Sequence, residues 1–270
     1  MSPMRWHPVL AIVLRQFYLL RGSPARLFPL VMWVAVDILL WGFITKYLQS
    51  VATPGFNFVS TLLGAVLLWD FFGRVMLGIT TAFFEDVWSR NFLNIFATPL
   101  SIAEYIAGLV LTSIITSSFA LVMMLALATA VFGLSVFAYG VMLAPFLLVL
   151  FLTGIALGIF GAGIVLRLGP AAEWLIWPIP ALISPFVGVF YPLATLPAWM
   201  QVIAHALAPS YVFEGMRAIV MHQTFSANHL LWATGLAALY ILLATVFFVR
   251  VYRYAVRTGL LARYSAESAS

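Results

Sequence analysis

Apolar residues in this chain come in long unbroken runs separated by short polar-edged breaks, not in alternation. A helix needs about 20 apolar residues to cross a bilayer. Six stretches reach that length, near 27–48, 58–83, 102–131, 138–166, 172–193 and 229–251. Strands that cross membranes alternate apolar and polar residues over shorter segments. The pattern therefore predicts an all-α polytopic membrane protein with six transmembrane helices. It forms a single membrane domain over residues 1–270: an interfacial segment over 1–26, a six-span bundle over 27–251 and a tail over 252–270.

Three shorter patterns add to this frame. Over residues 4–21, Trp6, Leu10, Val13, Phe17 and Leu20 recur at helical spacing, with Arg5, His7, Arg15, Gln16 and Arg21 on the other side. That predicts an amphipathic helix lying in the membrane surface, ended by Gly22-Ser23-Pro24. Between the second and third runs, Ser101 and Glu104 form the S-x-x-E of a capping box, and Pro99 disfavours helical geometry at Thr98. A short helix over 91–97 is thus cut off from the next span, with Trp88, Phe92, Ile95 and Phe96 on one face. Periodicity alone leaves it either an interfacial turn or a peg that docks on a partner. Before the last span, 197–207 and 211–221 read as two short apolar helices opened by Pro197 and separated by Ala208-Pro209-Ser210. They predict a re-entrant hairpin. Pro178, Pro180 and Pro185 are expected to kink the fifth span.

Composition strengthens the membrane reading. The chain is 64% hydrophobic and 8% charged, where soluble domains carry roughly 25% charged residues. The net charge of +5 does not form a patch; the basic residues sit at span ends, which speaks for membrane topology and against nucleic acid. With both termini cytoplasmic, ten basic residues fall inside (Arg5, Arg15, Arg21, Arg26, Arg90, Arg167, Arg250, Arg253, Arg257 and Arg263) against two outside, Lys46 and Arg217. Arg residues spread through the amphipathic start argue against a cleaved signal peptide. There is no cysteine, which excludes disulfides and thiol chemistry.

Candidate chemistry is sparse. Asp70 and Arg74 stand at i, i+4 within the second run, and Asp37 lies in the first without a local partner. An unpaired charge at the bilayer centre costs about 2.5–3.5 kcal/mol on the insertion scale, so these residues are either a structural pair turned into the bundle or a polar spot beside a translocation path. His205, His222 and His229 follow no metal-ligand spacing, and no metal site is expected. No nucleophile–base set is recognisable, so no catalytic residue is assigned. A phosphate-binding loop needs a lysine, and the single lysine, Lys46, lies in an apolar run. Gly154, Gly158, Gly161 and Gly163 suit close helix packing instead. Phe outnumbers Trp and Tyr together, 23 against 9 and 10, which leans toward an apolar or amphipathic substrate.

Two segments carry a resemblance. "FEDVWSRNFLNIFATPLSIAEYIAG" is similar to the stretch after the second span of type-2 ABC exporter permeases, with Glu85, Thr98-Pro99-Leu100-Ser101, Glu104 and Gly108 matching. "FYPLATLPAWM", followed by Pro209, Tyr211, Glu214 and Arg217, resembles that family's segment before the last span. The run Asp86-Val87-Trp88-Ser89-Arg90-Asn91 departs from the family's usual acidic-Gly-Thr-Leu-Glu. The resemblance implies the membrane-spanning subunit of an ATP-driven exporter in the cell (inner) membrane, without an ATPase site of its own. ATP and Mg would be bound by a cytoplasmic nucleotide-binding partner, and a second permease copy, as a homodimer, would complete the path. The residues implied to couple to the ATPase are Glu85, Arg90, Asn91, Phe92, Leu93, Ile95, Phe96, Thr98 and Pro99. Those implied at an extracellular gate are Pro192, Pro197, Trp199, Glu214 and Arg217. The rival reading is an ion-coupled carrier working through Asp37, Asp70 and Arg74, although the chain lacks the internal repeat common in such carriers.

Overall fold

The structure is a computed structural model and describes residues 4–51, 59–89, 94–95, 97–135, 140–141, 143–222 and 226–260. Helix α1 (Trp6–Arg21) stops at Gly22, and Pro24 opens α2 (Pro24–Val51) almost at once. A π turn (Val59–Leu63) leads into α3 (Gly64–Trp88), followed by α4 (Ile102–Phe132) and α5 (Leu143–Leu168). Two short helices come next, α6 (Glu173–Ile176) and α7 (Ile179–Ile183). The helical hairpin α8 (Ala198–His205) and α9 (Ala208–His222) precedes α10 (Ala227–Thr258). Among the described residues, five segments are long and apolar enough to cross a membrane: Val31–Val51, Val59–Val87, Ile102–Phe132, Leu143–Leu168 and Ala227–Thr258. The chain is a multi-pass helical membrane protein.

The run 172–193, expected as one kinked span, is not a single helix. It divides into a 3-10 turn (Pro170–Ala172), α6, α7, a string of turns and a further 3-10 turn (Leu193–Thr195). Three prolines remove amide donors in eight residues, and Gly188 has φ +70°, a left-handed conformation that ends any helix. Its two halves pack into different core clusters. Ile176 shares a core cluster with Val165, Val251 and Ala255, whereas Val187 and Val189 share one with Ala208, Phe213 and Ala233.

Other boundaries shift for local reasons. The break in the hairpin falls at Ala206–Leu207, and Pro209 lies in the first turn of α9, where its missing N–H costs no helical bond. Residues 252–258, expected in the tail, continue α10 until Gly259 (φ +69°) caps it. At 32 residues, α10 is about 48 Å long, so it exceeds a hydrocarbon core of about 30 Å. Its exposed Arg250, Arg253 and Arg257 cluster at one end.

The glycines of α5 set the packing of the bundle. A Cβ at Gly154 would stand 2.9 Å from Val75, and one at Gly158 2.9 Å from Ile79, so α5 and α3 approach more closely than larger residues allow. Thr80 Oγ1 donates to the carbonyl of Gly158 at 3.2 Å across the same seam. Gly163 gives α10 equal access through Phe247.

Helix α1 turns differently from its apparent amphipathic pattern. Val9, Ile12 and Gln16 are buried against the bundle, while Trp6, Leu10, Leu14, Phe17 and Tyr18 face outward. The sequence places Gln16 on the polar face. The helix instead has two apolar sides, one for the protein and one exposed, so a single moment cannot say which is buried. Gly108 of α4 receives it: a Cβ there would lie 2.6 Å from Ile12 Cβ and 3.2 Å from the carbonyl of Val9.

Candidate functional site

The chain leaves α3 at Trp88 and re-enters α4 at Ile102, and α1 is tied to both roots of this excursion. At the first root, Arg15 donates two hydrogen bonds to Asp86, one of them Nη1 to Oδ2 at 2.9 Å. Tyr105 Oη, from the first turn of α4, donates to the same Oδ2 at 2.7 Å. Asp86 is 1% exposed, and Tyr105 is fully buried. One carboxylate thus joins three helices.

At the second root, Glu104 does the same for two helix starts. Its carboxylate accepts from the Ser101 amide at 2.9 Å, while Ser101 Oγ accepts from the Glu104 amide at 3.2 Å, completing the capping box. It also accepts from the backbone amide of Arg5, the N-cap of α1, at 3.1 Å, and from Arg5 Nε at 2.9 Å. A carboxylate between two helix N-termini is favoured by both dipoles. Arg5 Nη2 donates further to the carbonyl of Pro99. Arg5 at the N-cap of α1 and Arg15 in its second half therefore tie that helix to the two roots of the excursion from points about 15 Å apart along its axis.

Both guanidinium groups are held above their ordinary pKa. For Arg5 the hydrogen bond it donates to Glu104 dominates; for Arg15 the bond to Asp86 does, opposed by burial. A raised arginine pKa means the charged form is present throughout the working range and is lost only above the guanidinium's own titration. The two ties form a brace, with α1 as the crosspiece between the end of α3 and the start of α4.

Of the residues implied to couple to an ATPase, Glu85, Ile95, Thr98 and Pro99 are described. Glu85 is half-buried one turn before Ser89, and Thr98 and Pro99 are exposed. Thr98 Oγ1 donates to the carbonyl of Ile95 at 2.5 Å. Ile95 is turned inward, in the same core cluster as Val87 and Tyr105, so it anchors the excursion and is not available as a surface contact. Arg90, Asn91, Phe92, Leu93 and Phe96 lie outside the described residues.

The intramembrane charges meet one another. Arg74 Nε donates to Asp70 Oδ2 at 2.7 Å, and Arg74 Nη2 lies 4.0 Å from Asp37 Oδ2. At the opposite end, Arg217 Nη1 donates to Glu214 Oε1 at 2.6 Å and Nη2 to the carbonyl of Gly188 at 2.7 Å. Glu214 Oε1 in turn accepts from the amide of Leu193 at 2.9 Å. The pair thereby clamps the turn 188–193, in which Pro192 precedes the 3-10 turn; Pro197 caps α8, and Trp199 is exposed against the edge of Phe186. His205 and His229 flank Tyr211, and among the described residues no three His, Asp or Glu side chains gather as metal ligands would.

Comparison with known family models and with curated proteins finds no match to the chain. Function must therefore be argued from these residues. Four central ones, Arg5, Arg15, Asp86 and Tyr105, are not singled out by the sequence. Each arginine meets its carboxylate 99 or 71 positions away, beyond the reach of any local rule. The one available sign is an acidic residue and a tyrosine at the ends of two apolar runs.

Proposed function

We propose that this chain is the membrane-spanning subunit of an ATP-driven exporter of the type-2 permease kind, moving an apolar or amphipathic substrate outward. The excursion 89–101 is its coupling element and docks on a separate cytoplasmic ATPase that binds ATP and Mg. The observation that carries this reading is the double brace, Arg15 to Asp86 and Arg5 to Glu104 and Pro99. A simple connecting turn needs no crosspiece, whereas an element that receives force must be rigidly joined to the helices it moves. The sequence resemblance supports the same assignment. In this reading α2, α3, α4, α5, the broken segment 170–193 and α10 make six crossings. Both termini are then cytoplasmic in the inner membrane, with the basic ends of α1 and α10 on that side. Two copies face each other across the path, and the hairpin α8–α9 with the Glu214–Arg217 clamp closes its outer end.

Purified protein reconstituted with its ATPase should transport on ATP addition without any ion gradient. Transport that collapses with the proton gradient and ignores ATP would contradict the proposal. That result would favour the second reading, an ion-coupled carrier, for which the Asp37–Arg74–Asp70 grouping is the supporting observation.

A further inference from the structure

Asp37, Arg74 and Asp70 place one guanidinium between two carboxylates, leaving one negative charge in excess at membrane depth. The sharing is unequal. Asp70 takes the short bond at 2.7 Å, while Asp37 stands at 4.0 Å with its side chain 38% exposed. Lys46, further along α2, lies over the ring of Phe132. Asp37 is thus the loosely held end of the grouping.

Its surroundings form a furrow rather than a packed seam. On α3 the stripe Asp70, Gly73, Arg74 and Leu77 is half-exposed, and a Cβ at Gly73 would meet nothing within 4 Å. On α2, Trp41 lies one turn from Asp37 and stacks on Phe190 with ring centroids 5.2 Å apart. The furrow therefore combines apolar and aromatic walls with a carboxylate that is part-exposed and only loosely paired.

We propose that this furrow binds the cargo and that the cargo is an amphipathic organic cation, its positive group seated on Asp37. The assignment rests on the transport reading above and narrows its substrate class by charge complementarity. An anion would face two carboxylates. A hard metal cation wants six or more oxygen ligands, and here one of the two carboxylates is already committed to arginine. A lipophilic cation satisfies both features, exchanging water for the carboxylate and for aromatic faces, which attract positive charge.

The test uses the whole protein in nanodiscs of zwitterionic lipid, with tetraphenylphosphonium as probe and tetraphenylborate as its counterpart of like shape and opposite charge. Saturable binding of the cation is expected, with no saturable binding of the anion. Asp37→Asn should weaken cation binding by about tenfold or more, and Asp37→Glu should restore it. Equal binding of the two probes, or full cation affinity in Asp37→Asn, would overturn the proposal; the second result is the one a mere protonation site gives. Binding needs no motor, so the two readings fail separately. A protein that binds the cation but shows no ATP-driven transport keeps the site and loses the motor. One that transports on ATP but binds no cation loses the site alone.

Discussion

Arg15 and Asp86, 71 positions apart, meet in a two-bonded ion pair whose carboxylate is 1% exposed and is shared with the hydroxyl of Tyr105. The pair fixes α1 to the point where α3 ends. A buried pair broken from one side leaves an uncompensated charge, which costs more than the pair contributes.

Asp86→Asn should therefore destabilise the protein by about 3 kcal/mol, seen as a lower melting temperature in detergent. Combining it with Arg15→Gln should recover part of the loss, because the orphaned guanidinium is removed as well. Strictly additive losses would show that the two side chains do not depend on each other.

The two ties should respond differently to salt. Arg15 and Asp86 are largely sheltered, whereas Arg5 is half-exposed beside Glu104. Raising ionic strength shortens the Debye length to about 3 Å at 1 M. The stability lost in Glu104→Gln should thus shrink in high salt, while that lost in Asp86→Asn should not. Thermal melts of both variants across a salt series measure this directly.

Gly108 sets how closely α1 can approach α4. A methyl group there would lie 2.6 Å from Ile12 Cβ and 3.2 Å from a backbone oxygen that cannot move aside alone. Gly108→Ala should cost about 1–3 kcal/mol by overpacking and expose α1 to proteolysis after Arg15. Ile12→Ala in the same chain should restore part of the protection. Unchanged proteolysis in the single variant would place α1 elsewhere.

At the other end, Arg217→Gln should release the turn that Glu214 and Gly188 share. The loss of a charge-assisted bond, about 1.5 kcal/mol, should appear as faster deuterium exchange at the Leu193 amide. The amides of α5 should be unaffected.

Much of the helical frame is legible in the sequence because its causes are local. The Ser101–Glu104 capping box, the stop at Gly22 and Pro24 and the glycine seam of α5 each depend on residues a turn or two apart, and each is present. The Glu214–Arg217 contact is local too, but its purpose is not, since the Gly188 carbonyl it holds is 29 positions away. The stretch 172–193 misleads for a different reason. Hydropathy counts its apolar residues, whereas continuity depends on amide donors that three prolines lack. The face of α1 is ambiguous in the sequence because both of its sides are apolar, and what orients it, Gly108 and the carboxylates of Asp86 and Glu104, lies on other helices.

The central claim is that residues 89–101 receive force from a separate ATPase. A photo-cross-linking side chain placed at Phe92, and separately at Phe96, in native membranes tests it most directly. The account predicts a cross-link at each position to a protein that also labels with an azido-ATP probe, and loss of both when Asp86→Asn and Glu104→Gln are combined. Cross-links only to lipid or to the chain itself would contradict it.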